Sequence, residues 1–177
     1  MYPYIRLIKE RWKFRRASKL GLLGTHVSHH ICWPQDIDPW RELNNGRTLT
    51  LYDLGRIPLA MRCGLIEALR ANGWSLAVAG SSVRYRRRVK MFERVEMRSR
   101  SVGWDRRFLY IDQSMWKGAE CASQVLIRMA FTSAKGIVPP GDVITAMGQS
   151  PESPELPAWV TAWIAADAER PWPPERV

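Results

Sequence analysis

Two carboxylates and an asparagine pair stand close together in the first third of the chain. Asp36 and Asp38 are followed by Asn44-Asn45-Gly46, beginning six residues after the second carboxylate. Apolar residues then recur at helical spacing, so the asparagine pair predicts the start of a helix. A helix start offers unpaired backbone N–H groups and a positive dipole end, which stabilise negative charge on a carbonyl oxygen. With a carboxylate nearby, the segment is suited to hydrolysis at a carbonyl.

Each candidate group in this segment also has a structural interpretation. Asp38 lies seven residues before Asn45, close enough on a short loop to act in the same space as nucleophile or general base. The backbone N–H of Asn45 or Gly46 is the candidate donor to the carbonyl oxygen. Alternatively, Asp38 is a turn residue before Pro39, and Asn45 caps the helix. Asp36 is expected to shape the loop rather than react.

The segment from Asp36 to Arg47 resembles the acyl-CoA thioesterases of the hotdog superfamily, notably the 4-hydroxybenzoyl-CoA thioesterase type. It reads Asp-Ile-Asp-Pro-Trp-Arg-Glu-Leu-Asn-Asn-Gly-Arg. In that family an Asp-x-Asp loop runs into an Asn-Asn pair at the start of the central helix. The likeness continues into the helix at Tyr52, Asp53 and Arg56. With the order of strand, helix and antiparallel strands, the resemblance covers about residues 25–136.

The resemblance implies an acyl-CoA or acyl-carrier-protein thioesterase that works as an obligate homodimer, with each active site between subunits. It implies that Asp38 is the catalytic carboxylate and that the helix start faces the thioester. Coenzyme A enters as part of the substrate, and no metal or other cofactor is expected. Pairing of dimers into tetramers stays open.

One position departs from the family pattern. Many relatives carry a histidine where this chain has Glu42, two residues before Asn44. Glu42 is therefore a candidate second carboxylate. The departure also keeps a different function open, a hotdog protein that binds acyl chains or partners without catalysis, because a fold alone confers no activity.

A basic run, Arg84-Tyr85-Arg86-Arg87-Arg88-Val89-Lys90, is the strongest electrostatic feature of the chain. Strand alternation places Arg84, Arg86 and Arg88 on one face. Guanidinium groups bind phosphate through paired donors, so these three are expected to bind the phosphates of coenzyme A or of an acyl carrier protein. The alternatives are a solvated sheet face or a contact between dimers. In the helix, Tyr52 is expected to line the acyl tunnel unless it is simply core.

The charge balance favours anionic partners without choosing among them. The chain has 27 basic and 17 acidic residues, a formal net charge of +10. Nucleic acid is the rival partner from a different class, because Tyr85, Trp104 and Tyr110 could stack bases beside the basic run. No nucleic acid is expected, since the sequence matches no known nucleic-acid-binding module.

Apolar periodicity predicts one strand and then one long helix. Residues 25–33 alternate as a half-buried strand, whose apolar face would hold Val27, His29, Ile31 and Trp33. On that face His29 is expected to be a core or interface residue. A helix of about 25 residues is expected to run from Asn45 to Asn72-Gly73, with a kink at Pro58.

Four antiparallel strands are expected after the helix, as a meander. They cover residues 76–89 with a bulge at Gly80, then 93–102, 107–116 and 120–133. The helix is apolar on more than one face and must be covered on most sides. The predicted architecture is therefore α+β, a long central helix wrapped by an antiparallel sheet, which is the hotdog fold.

Three segments are expected along the chain. They are a basic amphipathic segment over 1–24, a hotdog domain over 25–138, and a Pro-rich extension over 139–177 with two short helices packed on the domain. For residues 1–24, packing on the domain is favoured, and peripheral contact with an anionic membrane is the alternative. Three separated cysteines indicate neither a disulfide framework nor a zinc site. Without a secretory signal, a cytoplasmic location is expected.

Overall fold

The computed structural model describes residues 2–176, in which an antiparallel sheet curls around one helix. The helices are α1 (Tyr4–Phe14), α2 (Asn45–Arg62), α3 (Leu65–Asn72), α4 (Pro140–Ala146) and α5 (Ala158–Ala168), with a 3-10 turn at Pro34–Asp36. The strands are β1 (His26–Ile31), β2 (Ser75–Tyr85), β3 (Arg94–Trp104), β4 (Phe108–Lys117), β5 (Glu120–Ser133) and β6 (Gly136–Val138).

The central helix is shorter than predicted. Helix α2 ends at Arg62, and Gly64 follows with a φ of 83°, a left-handed conformation that ends the helix and separates it from α3. The expected single helix is therefore two helices, and the second ends at Asn72-Gly73 as predicted. Pro58 lies inside α2 without ending it.

The sheet order is β1-β3-β4-β5-β2, with β6 also paired to β5. The predicted meander is correct for β3, β4 and β5 but wrong for β2, which crosses over to pair with β5 instead of β3. Its register shifts between Val78 and Gly80, so the expected bulge at Gly80 is present. The crossover leaves the other edge of β2 free of strand partners among residues 2–176.

Helix α2 supplies the centre of the main core. Leu51, Tyr52 and Leu54 are completely buried. At Gly55 the helix approaches β3 so closely that a Cβ atom would lie 2.6 Å from Ser99 Oγ and 2.7 Å from Met97 Sδ. The buried helix and the antiparallel sheet around it confirm the predicted hotdog architecture.

Strand β1 presents the opposite face from the one predicted. His26, Ser28 and His30 are buried, whereas Val27, His29 and Ile31 are exposed. One nitrogen of each buried ring has a partner, because His30 Nε2 lies 2.8 Å from Ser28 Oγ and Arg62 Nη1 lies 3.1 Å from His26 Nδ1. Among the described residues, His26 Nε2 has no hydrogen-bond partner. The prediction fails because it assigned the core face by apolarity, and neutral imidazoles with partners can take that face.

The C-terminal extension packs on the sheet through α5. Val160 of α5 forms a small buried cluster with Tyr110 and Leu126. Arg128 of β5 reaches Asp167 of α5 at 2.8 Å, and its guanidinium lies over the ring of Trp163. These contacts hold α5 against β4 and β5.

Candidate active site at the start of helix α2

The start of α2 leaves one backbone donor open. Asn44 is the capping residue, and its side-chain oxygen accepts hydrogen bonds from the N–H groups of Gly46 and Arg47 at 2.9 and 3.2 Å. The Gly46 N–H is thus already used. Asn45 is the first helical residue, and within residues 2–176 its N–H has no acceptor. Of the two predicted donors, only Asn45 is open to a ligand.

Asp38 holds a tight loop together with one oxygen. Its Oδ1 accepts from the backbone N–H groups of Trp40 at 2.9 Å and Glu42 at 3.3 Å. The backbone also closes the loop, because the Asp38 N–H donates to the Glu42 carbonyl oxygen at 2.9 Å. Among residues 2–176, Oδ2 has no hydrogen-bond partner. Asp38 therefore stabilises the turn through Oδ1 and keeps Oδ2 free of hydrogen bonds to the described residues.

Asp36 is the structural carboxylate of the segment, as predicted. It is completely buried and bound by Arg6 Nη1 at 2.6 Å and Arg47 Nη2 at 2.7 Å. Burial alone would raise the pKa of Asp36, but the hydrogen bonds from Arg47, the Trp33 N–H and Arg6 outweigh burial and lower the pKa below its usual value. Asp36 thereby ties α1, the loop and α2 together as an ionised group.

A cavity of about 220 Å³ opens beside the first turn of α2. The polar groups of its wall come from the loop, the helix and two strands: Glu42, Asn45, Thr48, Ser123 and Arg86–Arg88. Glu42, not Asp38, is the carboxylate in this wall. Its Oε2 lies 2.8 Å from Arg88 Nε, so the pair closes one side of the cavity.

The basic run reaches this cavity through an irregularity that alternation did not predict. Strand β2 ends at Tyr85, and the N–H groups of Arg86 and Arg87 both donate to the Ala122 carbonyl oxygen, at 2.8 and 3.1 Å. Consecutive arginines therefore line the cavity, whereas Arg84 stays on the strand opposite Gln124. The expected common face of Arg84, Arg86 and Arg88 is wrong for this reason.

Tyr52 lies behind the cavity wall. The ring is completely buried, and its hydroxyl oxygen lies 2.8 Å from Ser123 Oγ, which itself lines the cavity. Burial raises the pKa of Tyr52. In the single chain Tyr52 does not line the cavity and contacts the wall residue Ser123 instead. Its predicted contact with substrate stays a prediction. No sequence motif marked Ser123, because it becomes a wall residue only through the pairing of β2 with β5.

The histidines lie outside this cavity. Burial, reinforced by the positive charge of Arg62, lowers the pKa of His26 to about 4. Burial, reinforced by Arg6, lowers the pKa of His30 to about 3. Both rings are neutral near pH 7. Across residues 2–176, no three His, Cys, Asp or Glu side chains are grouped as metal ligands.

The described residues also contain no helix whose length and apolarity would allow it to cross a bilayer.

Comparison with known proteins identifies the family. The family model of the thioesterase-like superfamily matches residues 32–164. Protein THEM6 of Xenopus laevis is 32% identical over 145 residues, which cover 81% of this chain and 69% of that protein. Protein THEM6 of Drosophila melanogaster is 26% identical over 156 residues, which cover 86% of this chain and 78% of that protein.

Solved structures share the fold. The YbaW probable thioesterase of Escherichia coli has a TM-score of 0.65 at 14% identity, covering 72% of this chain and 99% of that chain. Slr0204 of Synechocystis, a 1,4-dihydroxy-2-naphthoyl-CoA thioesterase, has a TM-score of 0.60 at 9% identity, covering 70% and 95%. At such identities these structures establish the hotdog fold alone. On the family match and the THEM6 relatives, the chain belongs to the thioesterase-like superfamily.

Proposed function

We propose that this protein hydrolyses acyl-CoA thioesters in the cavity at the start of α2. The observation that carries the proposal is the open N–H of Asn45, a residue that lines a cavity together with three arginines and a carboxylate. A helix start of this kind stabilises the oxyanion of a tetrahedral intermediate. The family assignment points to the same chemistry.

Asp38 lies outside the cavity wall of the single chain, so the proposed reaction takes place in an assembled dimer. There Asp38 Oδ2 takes a proton from water as the water oxygen attacks the thioester carbonyl carbon. The carbonyl oxygen becomes an oxyanion held by the Asn45 N–H. The intermediate then collapses, the carbon–sulfur bond breaks, and the proton on Asp38 passes to the leaving thiolate. The products are a carboxylic acid and the free thiol of coenzyme A. Glu42, paired with Arg88, positions the loop and the arginine.

Arginines at the cavity mouth suit the phosphates of coenzyme A. Within residues 2–176, the Arg86 guanidinium has no protein partner, so it is free to bind an anion. Arg88 is held by Glu42 at 2.8 Å and Arg87 by Glu120 at 3.5 Å. Arg84 lies outside the cavity wall, on the strand opposite Gln124, and would add a positive charge along β2 beside the cavity. We therefore assign phosphate binding first to Arg86, and then to Arg84 and Arg88.

A homodimer is part of the proposal. The free edge of β2 leads directly into the arginine run, and Val78 in this strand is half exposed. A free strand edge is a template for pairing with another strand. Pairing of two β2 edges would bring a second copy beside the cavity mouth. The proposal requires that this assembly bring the bound thioester within reach of Asp38.

A non-catalytic acyl-binding protein is the second candidate. The observation that favours it is the Glu42–Arg88 ion pair, which occupies part of the cavity wall where relatives of the resembled type carry a histidine. Binding an acyl chain requires the cavity but no free carboxylate.

Turnover of a panel of acyl-CoA substrates, followed with a thiol-detecting reagent, separates the two candidates. The enzyme proposal predicts thiol release with at least one substrate and loss of that release on addition of a non-hydrolysable thioether analogue. Tight binding of the analogue without hydrolysis of any substrate would favour the binding protein. Absence of both would contradict both functions.

A further inference from the structure

Helix α1 presents an apolar stripe to solvent. Ile5 is 86% exposed, Ile8 63% and Trp12 65%, and Tyr4 at 65% lies beside them. At the helical repeat these four positions fall within one quarter to one third of the helix surface. Large apolar side chains grouped in this way are typical of a surface that binds something.

The stripe cannot turn inward, because the opposite face of α1 is anchored. Glu10 is buried, and Phe14 packs edge-on against the His26 ring with centroids 4.4 Å apart. Arg6 binds Asp36 at 2.6 Å and the Ile31 carbonyl oxygen at 2.9 Å. One face of the helix therefore packs on the domain, and a second face stays uncovered.

Positive charge borders the stripe on both sides. Six cations of this region are exposed: Lys9, Arg11, Lys13, Arg15, Arg16 and Lys19. Glu10 is the only acidic residue within residues 1–24, and it is buried at the base of a cavity that Lys9 and Lys13 also line. Trp33 and Arg94 line the same cavity of about 270 Å³, so the positive surface continues onto the domain.

We propose that α1 docks the protein on the surface of a bilayer that contains anionic lipids. The apolar stripe enters the boundary between headgroups and acyl chains, and the bordering lysines and arginines bind lipid phosphates. Charge complementarity favours a membrane as the partner. Exposed cations lie on both flanks of the stripe and residues 2–24 expose no acidic side chain, which matches an extended anionic surface. The Arg15 guanidinium, 4.1 Å from the Trp12 ring centroid, sits where a snorkelling side chain would reach the headgroups.

Vesicle flotation of the full chain tests the proposal. The protein should float with phosphatidylcholine vesicles containing about one third phosphatidylserine and stay in solution with pure phosphatidylcholine. The double variant Ile8→Ser/Trp12→Ser should lose more than about tenfold in vesicle affinity, since two large apolar side chains no longer insert. Trp172→Ser is the matched control, because Trp172 is 89% exposed in the C-terminal tail, and it should float like the wild type.

Two results would overturn the proposal. The first is absence of flotation with anionic vesicles, and the second is equal flotation of the Ile8→Ser/Trp12→Ser variant and the wild type. If the first result is joined by a lower oligomeric state of that variant in sedimentation, the stripe is assigned to a second copy of the chain. Circular dichroism of each variant checks that the fold is intact, as expected for exposed positions.

Discussion

Asp36→Asn should destabilise the whole fold while leaving the side chain almost the same size. The carboxylate accepts from Arg6 Nη1 at 2.6 Å, Arg47 Nη2 at 2.7 Å and the Trp33 N–H at 3.1 Å. An asparagine keeps one acceptor oxygen but turns the other group into a donor that faces a guanidinium. Both arginines then lose a charged partner, and at least one of them also loses its hydrogen-bond acceptor.

The size of the effect follows from the burial of the three groups. Removing one partner of a buried ion pair costs about 3–5 kcal/mol. Asp36 is fully buried, but the side chains of Arg6 and Arg47 are 16% and 19% exposed, so water can partly solvate them again. We therefore expect a loss of about 3 kcal/mol in the free energy of unfolding, at the lower end of that range. Loosening of α1 and the start of α2 should accompany it.

Urea denaturation followed by circular dichroism measures this loss. Asp38→Asn is the matched control in the same loop. The new amide oxygen still accepts from Trp40 and Glu42, so stability should change by less than about 1 kcal/mol. A loss below about 1 kcal/mol for Asp36→Asn, or a larger loss for Asp38→Asn than for Asp36→Asn, would refute the division of the segment into a structural and a reactive carboxylate.

Three further variants test other contacts. The pKa values of His26 and His30 in the folded protein lie below the usual 6.5. Between pH 7 and pH 5 the unfolded chain therefore binds more protons at these rings than the folded protein does. The free energy of unfolding should fall by about 2 kcal/mol per ring over this range. Replacing both with glutamine should flatten this pH profile, and an unchanged profile in that double variant would contradict the assignment. Gly55→Ala should cost about 1–3 kcal/mol in urea denaturation through overpacking against β3. Arg86→Ala should raise KM for acyl-CoA several-fold with kcat retained, and an unchanged KM would contradict phosphate binding there.

Much of the fold is predictable from the local sequence, because bulges, helix ends and strand bounds depend on a few neighbouring residues. The bulge at Gly80, the end of α3 at Asn72-Gly73 and the bounds of β5 follow from glycine geometry and alternation. The pairing of β2 with β5 depends on contacts distant in sequence and could not be read from periodicity. The break at Gly64 was missed because apolar spacing continues across it.

The candidate site was predictable in its position but not in its wall. The asparagine pair and the loop before it predict the position of the site in the sequence. The structure shows that Asn44 caps the helix and that Asn45 has the open N–H. Arg87 and Ser123 enter the cavity through the irregular end of β2 and its pairing with β5. Neither feature has a local sequence signal, because both depend on how distant strands align.

The most direct measurement compares kcat/KM of the wild type, Asp38→Asn and Glu42→Gln on one hydrolysable acyl-CoA. The proposed chemistry predicts a loss of about 100-fold or more for Asp38→Asn, the usual contribution of a general base, and a much smaller loss for Glu42→Gln. Asp142→Asn, an exposed carboxylate on α4, is the control and should behave as the wild type. Full activity of a folded Asp38→Asn variant would contradict the account.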